Sequence, residues 1–198
     1  GILLGIVIGV IFLVMCADFE QIWAGLGVSL YLFGMLGSYV ASTVYHALPG
    51  QSRWKEPLRR WDHAAIYWHI AGSYSPITLV ALRQEGYWGW SLFSFVWLCA
   101  IVGTALSFRK MKTQSYLETT CYVLMGLTIL IAFKPFYDTC GLPIVLWVVG
   151  EGVAYIVGAV LYSFKKVPYI HSVFHVFVIL GDICHMIATW MMLQIFVL

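Results

Sequence analysis

Seven long apolar runs follow one another along the chain, at about 1–16, 24–46, 63–82, 88–107, 116–133, 144–163 and 170–195, and charged residues gather between them. Each run is continuous. A transmembrane barrel would show segments of about 10 residues with alternating polarity. A helix is the spanning structure that pairs every backbone group within one segment, and it needs about 20 apolar residues. The pattern therefore predicts an all-α integral membrane bundle of seven transmembrane helices, forming a single domain over 1–198.

Composition agrees. The 198 residues are 62% hydrophobic and 10% charged, with mean hydropathy +0.88. Soluble domains carry about a quarter charged residues, so a soluble or disordered chain is excluded. A formal net charge of +2 gives no basic footprint, so no nucleic-acid partner is expected.

The few cations then set an orientation. Arg53, Lys55, Arg59 and Arg60 follow the second run. Arg109, Lys110 and Lys112 follow the fourth, and Lys165 and Lys166 the sixth. Only Arg83 and Lys134 lie elsewhere. Under the positive-inside rule the N-terminus is cytoplasmic and the C-terminus outside, in a multi-pass protein of the cell membrane. Gly1 is not an initiator methionine and the first run starts abruptly, so a further N-terminal segment is expected ahead of it. That run lacks the charged flank of a signal peptide and six runs follow it, so it is read as a span. Gly1, Gly5 and Gly9 form a small-residue stripe suited to helix packing.

Ionisable groups at membrane depth are costly and hence functional candidates. They are His46, Asp62, His63, His69, Glu151, His171, His175, Asp182 and His185. The charge pattern puts His46, Asp62, His171 and His175 at one depth, near the cytoplasmic face. His171 and His175 share a helix face one turn apart, the usual helical spacing for zinc. His46 could supply a third nitrogen. Three protein ligands with one open position is the catalytic zinc pattern. Asp62 could act as general base, and Ser42, four residues before His46, could reach the same place.

Plainer readings stand beside these. Asp62 could pair with Arg59 or Arg60, or cap a helix. Ser42 could serve helix packing, and His63 could keep its tip in water. His69 reads as a hydrogen-bonded core histidine. Asp182 and His185 could line a polar cavity or pair together, and Glu151 could pair with one of them. Cys99, Cys121 and Cys184 read as small apolar residues, while Cys16 and Cys140 lie towards one face, where a disulfide is conceivable. Trp23, Trp54, Trp61, Tyr87, Trp88 and Tyr169 fit an aromatic belt.

Four segments resemble the hemolysin III family: Ser42-Thr-Val-Tyr-His46, Arg59-Arg-Trp-Asp62-His, Ala71-Gly-Ser-Tyr-Ser-Pro76 and His171-Ser-Val-Phe-His175. They come in the family's order and cover nearly the whole chain, and the short loops are similar to those of its bacterial branch. The family belongs with the progestin and adipoQ receptors. The resemblance implies seven membrane helices with a cytoplasmic N-terminus, and a zinc ion held by His46, His171 and His175, with Asp62 and Ser42 as the family's aspartate and serine. The acidic, Asn and Thr-His stretch that usually precedes the first helix is not in this chain. Adiponectin receptors have a similar site and are associated with ceramide hydrolysis.

Three functions remain open on these grounds. One is a zinc-dependent hydrolase of an amide or ester bond in a membrane lipid, with Asp62 moving the proton. A second is a receptor or sensor whose zinc is structural. A third is a pore-forming, hemolysin-like protein, suggested by Asp182 and His185.

Overall fold

The computed structural model describes residues 1–18, 21–109, 116–164 and 168–198. Lys110, Lys112, Lys165 and Lys166, part of the charge pattern above, lie outside them. Every regular element among the described residues is helical, and none is a strand. The elements are α1 (Ile2–Asp18), α2 (Ile22–Ala47), α3 (Lys55–Pro76) with a π turn at Ile77–Ala81, α4 (Trp88–Phe108), α5 (Tyr116–Gly126) with a 3-10 stretch at Leu127–Ala132, α6 (Phe133–Tyr162) and α7 (Ile170–Phe196).

Four described segments are long and apolar enough to cross a membrane: Ile22–Ala47, Trp88–Phe108, Glu118–Tyr162 and Ile170–Phe196. This differs from the seven expected spans for identifiable reasons. Ile2–Ala17 is apolar but shorter. α3 starts at Lys55, eight residues before its expected span, so Glu56, Arg59, Arg60, Asp62 and His63 occupy its first turns. Pro57 suits a first helical turn and Glu56 complements the helix dipole there. Residues 134–143, expected as a loop, are helical except at Gly141, whose φ of 73° interrupts α6. Glu118–Tyr162 is consequently one 45-residue apolar stretch with a break inside it.

Tyr74 ties α3 to the irregular part of the next stretch. Its hydroxyl donates to the Gly126 carbonyl at 2.6 Å and accepts from the Ile129 amide at 2.8 Å, where the α-helix tightens to 3-10. On its own element, Pro76 has no amide to donate, and just beyond it the Leu82 amide donates to the Ile77 carbonyl at 2.9 Å, a five-residue step.

Two apolar clusters hold the bundle. One joins α3, α4, the α5–α6 stretch and α7 through Tyr67, Tyr74, Val96, Phe136, Ile144 and Met192. The other joins α1, α2 and α7 through Phe12, Val28, Tyr31, Met35 and Leu193. Large apolar side chains remain exposed on every long helix, among them Phe33, Leu98, Ile101, Leu130, Leu146 and Val176. Such a surface suits lipid rather than water.

The α2–α3 contact matters most for the site. A Cβ at Gly34 would lie 2.2 Å from the Trp68 carbonyl oxygen, and one at Gly72 2.9 Å from that of Leu30. Only glycine allows the two backbones to approach so closely. The Gly1, Gly5 and Gly9 stripe packs α1 onto α2, against Tyr39, Leu36 with Met35, and Leu32 respectively. Cys16 and Cys140 are both buried free thiols. They sit in separate apolar clusters, so the conceivable disulfide between them does not form.

Candidate metal centre

His46 occupies the last turn of α2, and His171 and His175 the first two turns of α7. Their rings meet at one end of the bundle. Nε2 of His171 lies 2.9 Å from Nε2 of His46 and 3.0 Å from Nε2 of His175. The three form a group that could hold a metal ion, with one nitrogen from each within 4.8 Å of the others. A neutral imidazole has one donor and one acceptor nitrogen, so three Nε2 atoms facing one another compete for the same role. A cation between them resolves that competition. In a tetrahedral zinc site with Zn–N near 2.0–2.1 Å, nitrogens stand about 3.3 Å apart, close to the separations found.

The surroundings hold the three rings in place. Tyr162 and Phe174 lie against His171, with ring centroids 5.3 and 6.3 Å away, and Tyr45 against His46 at 4.7 Å. Lys55 reaches back across the α2–α3 turn. Its ammonium donates to the carbonyls of Tyr45 and Leu48 at 2.6 and 2.9 Å. A cation on the last carbonyls of a helix is favourable, and this one brackets His46. At the start of α7, Tyr169 has φ 61°, an unusual conformation for a residue with a side chain. It begins the helix two residues before His171.

Asp62 lies beside the cluster but not as a helix opener. It sits two turns inside α3 and is partly buried. Its polar neighbours are Ser42, His63, His46 and His175. The expected ion pair with Arg59 or Arg60 is absent among the described contacts. Both arginines bind Glu56 instead, at 3.0 and 3.4 Å. The Arg59 hydrogen bond holds the Glu56 carboxyl below its ordinary range. His63 does not keep its tip in water. Its Nδ1 is 2.9 Å from Oε2 of Glu118 on α5, a partner that sequence reasoning missed.

The remaining polar residues do not join this group. Asp182 lies seven residues beyond His175, about 10 Å along α7. It is fully buried, with His69 Nε2 2.8 Å from Oδ1 and the Tyr155 hydroxyl donating to the same oxygen at 2.5 Å. The Tyr39 hydroxyl donates to Oδ2. His185 pairs with Glu151, with Nδ1 2.8 Å from Oε2. Asp182 and His185 therefore neither pair together nor face an open cavity. His69 is the core histidine expected, and Glu151 takes one of its two expected partners.

Comparison with known proteins places this geometry. The family described as "Haemolysin-III related" matches residues 1–186. The chain belongs to the hemolysin III family. It is 34% identical to a Hemolysin-3 homolog of Bacillus subtilis (strain 168) over 183 residues, covering 92% of this chain and 84% of that one. It is 33% identical to Hemolysin-3 of Bacillus cereus over 159 residues, covering 79% and 68%. A human protein, Monocyte to macrophage differentiation factor, is 27% identical over 180 residues, covering 86% and 72%. The family resemblance drawn from the four motifs therefore holds. As a hemolysin III protein with several long apolar helices, the chain is an integral membrane protein.

Proposed function

We propose that this hemolysin III protein is a zinc-dependent membrane hydrolase that cleaves an amide or ester bond of a lipid. The observation that carries the reading is the meeting of three imidazole Nε2 atoms, with a partly buried carboxylate, Asp62, beside them. Imidazole nitrogens in this arrangement suit zinc. Zinc held by His46, His171 and His175 would supply Lewis-acid polarisation of a carbonyl and make water acidic enough to react near neutral pH.

The chain's own residues supply the rest. Asp62 takes the proton from the attacking water and returns it to the leaving amine or alcohol. Ser42, its neighbour, orients that carboxylate. The site lies at the helix ends, where a carbonyl at the headgroup level of a lipid would meet it. The exposed apolar flanks of α2 and α7 leave the acyl chain in the bilayer.

The proposal includes seven crossings, with the N-terminus cytoplasmic and the site near the cytoplasmic face. A straight 45-residue helix would run about 68 Å, more than twice the hydrocarbon thickness of about 30 Å. The break at Gly141 allows Glu118–Tyr162 to cross twice. Lys55–Pro76 continued by Ile77–Ala81 is long enough for another crossing. Nine of the eleven Lys and Arg residues then fall on one side.

The test is direct. Purified protein is analysed for metal and incubated with ceramides and other acyl lipids. Zinc together with fatty-acid release that His171→Ala abolishes supports the reading. Zinc without release from any lipid, in a protein that unfolds on chelation, supports instead a structural zinc joining α2 to α7, as in a receptor or sensor. Ion flux through liposomes that persists without metal would support the pore reading.

A further inference from the structure

We propose that the bundle interior contains a second site, built by Tyr31 of α2 and by His185 and Thr189 of α7, and that its ligand is water. The proposal is independent of the three-histidine centre. His185 lies ten residues beyond His175, about 15 Å along the helix.

All three side chains are 0% exposed. The Tyr31 hydroxyl, His185 Nε2 and Thr189 Oγ1 each lack a hydrogen-bond partner among the described residues. The Tyr31 and His185 rings are 4.7 Å apart, and Thr189 follows His185 by one turn on the same helix face. Buried polar atoms without partners are costly and rare, and three of them on neighbouring side chains are not scattered packing defects. A bundle in lipid has no bulk solvent within reach to satisfy them.

The polarity of the three atoms identifies the ligand. His185 Nδ1 is already committed to Glu151 Oε2 at 2.8 Å. Nε2 is therefore the ring nitrogen left without a partner. The two hydroxyls can each donate or accept. Water both donates and accepts, so one molecule can serve Nε2 in either role together with Tyr31 and Thr189. Buried waters make about three hydrogen bonds, the number offered here. A metal ion fits poorly, because the site turns one imidazole nitrogen and two neutral hydroxyls inward. Among the described residues, the three-histidine group is the one cluster of metal-ligating type.

Thr189→Val and Tyr31→Phe remove a hydroxyl each and change shape little. If water is held there, each variant strands a hydrogen bond and lowers the Tm of the purified protein by about 2–4 °C. If the site is dry, each variant removes an unsatisfied group, and the Tm stays level or rises, which overturns the proposal. A high-resolution crystal structure of the unaltered protein gives a second readout, and it decides where a variant fails to fold. Ordered density within about 3.2 Å of His185 Nε2 supports the site. An empty gap, or a Thr189 hydroxyl bonded to a backbone carbonyl, overturns it.

Discussion

His46 and His171 are 125 residues apart in the chain, and their Nε2 atoms are 2.9 Å apart in the fold. One stands in the last turn of α2 and the other in the first turn of α7. A metal held by such distant segments would brace the bundle as well as supply chemistry. Under the zinc reading, the purified protein carries about one zinc per chain. Replacing His46, His171 or His175 by Ala weakens zinc binding by more than the 10–100-fold typical of outer hydrogen-bond partners. Elemental analysis after dialysis against a weak chelator measures this, and full retention of zinc by all three variants would refute it.

Asp62 is expected to affect turnover without affecting metal content. Asp62→Asn keeps the shape but cannot take up a proton. If Asp62 is the general base, kcat for lipid cleavage falls by about 10²–10⁴ while bound zinc stays at the level of the unaltered protein. Ser42→Ala should give a smaller loss, because it orients Asp62 rather than moving the proton. Equal losses of zinc and activity in Asp62→Asn would instead make the aspartate a structural support of the histidines.

Lys55 is a positioning residue outside the motifs. Its ammonium holds the carbonyls of Tyr45 and Leu48 on either side of His46 and stands 4.3 Å from the Tyr45 ring. Hydrogen bonds to a charged group contribute about 1.5–3 kcal/mol. Partial exposure reduces that here, so Lys55→Met is expected to cost about 1–2 kcal/mol and to weaken zinc binding. Lys55→Arg, which retains the charge, should recover part of both. An unchanged zinc affinity in Lys55→Met would show that His46 does not depend on this cap.

The histidine and aspartate motifs were legible in the sequence because their chemistry is local. HxxxH puts two rings on one helix face whatever the rest of the fold does. The partners of Asp182 were not legible. Tyr39 and Tyr155 look like two more aromatics in apolar helices, and only the packing of α2 and α6 against α7 brings their hydroxyls to Asp182. The signal that could have flagged Glu118 is its isolation as an acid at the head of an apolar run. Helix boundaries failed where charge was read as loop. The Arg-rich start of α3 is helical because Glu56 and Pro57 suit a first turn. The stretch around Lys134 and Asp138 is helical, with that pair bridged at 2.5 Å.

The Asp182 network is expected to be a stability element. The carboxylate is 0% exposed and accepts from three partners on three other elements. Removing one member of a buried, hydrogen-bonded pair costs about 3–5 kcal/mol. Asp182→Ala should therefore unfold at much lower temperature or fail to accumulate. Asp182→Asn, which keeps the shape and part of the bonding, should be milder. Thermal unfolding in detergent distinguishes them, and an Asp182→Ala protein as stable as the unaltered one would mean that the network contributes little.

Gly34 tests whether the site depends on the distance between α2 and α3. A Cβ there would lie 2.2 Å from the Trp68 carbonyl oxygen, and that oxygen belongs to a helix backbone that cannot turn aside. Gly34→Ala must push the helices apart, at a cost of about 1–3 kcal/mol for overpacking. Because α2 carries Ser42 and His46 and α3 carries Asp62, the same displacement moves Ser42 and His46 away from Asp62 while leaving the HxxxH pair on α7 undisturbed. The expected signature is a lower Tm and lower turnover, with zinc weakened less than in His171→Ala. Gly37, three residues on, has open space at its Cβ position. Gly37→Ala should be neutral to stabilising, since alanine is the better helix former. If both substitutions behave alike, close approach at Gly34 is not what sets the geometry of the site.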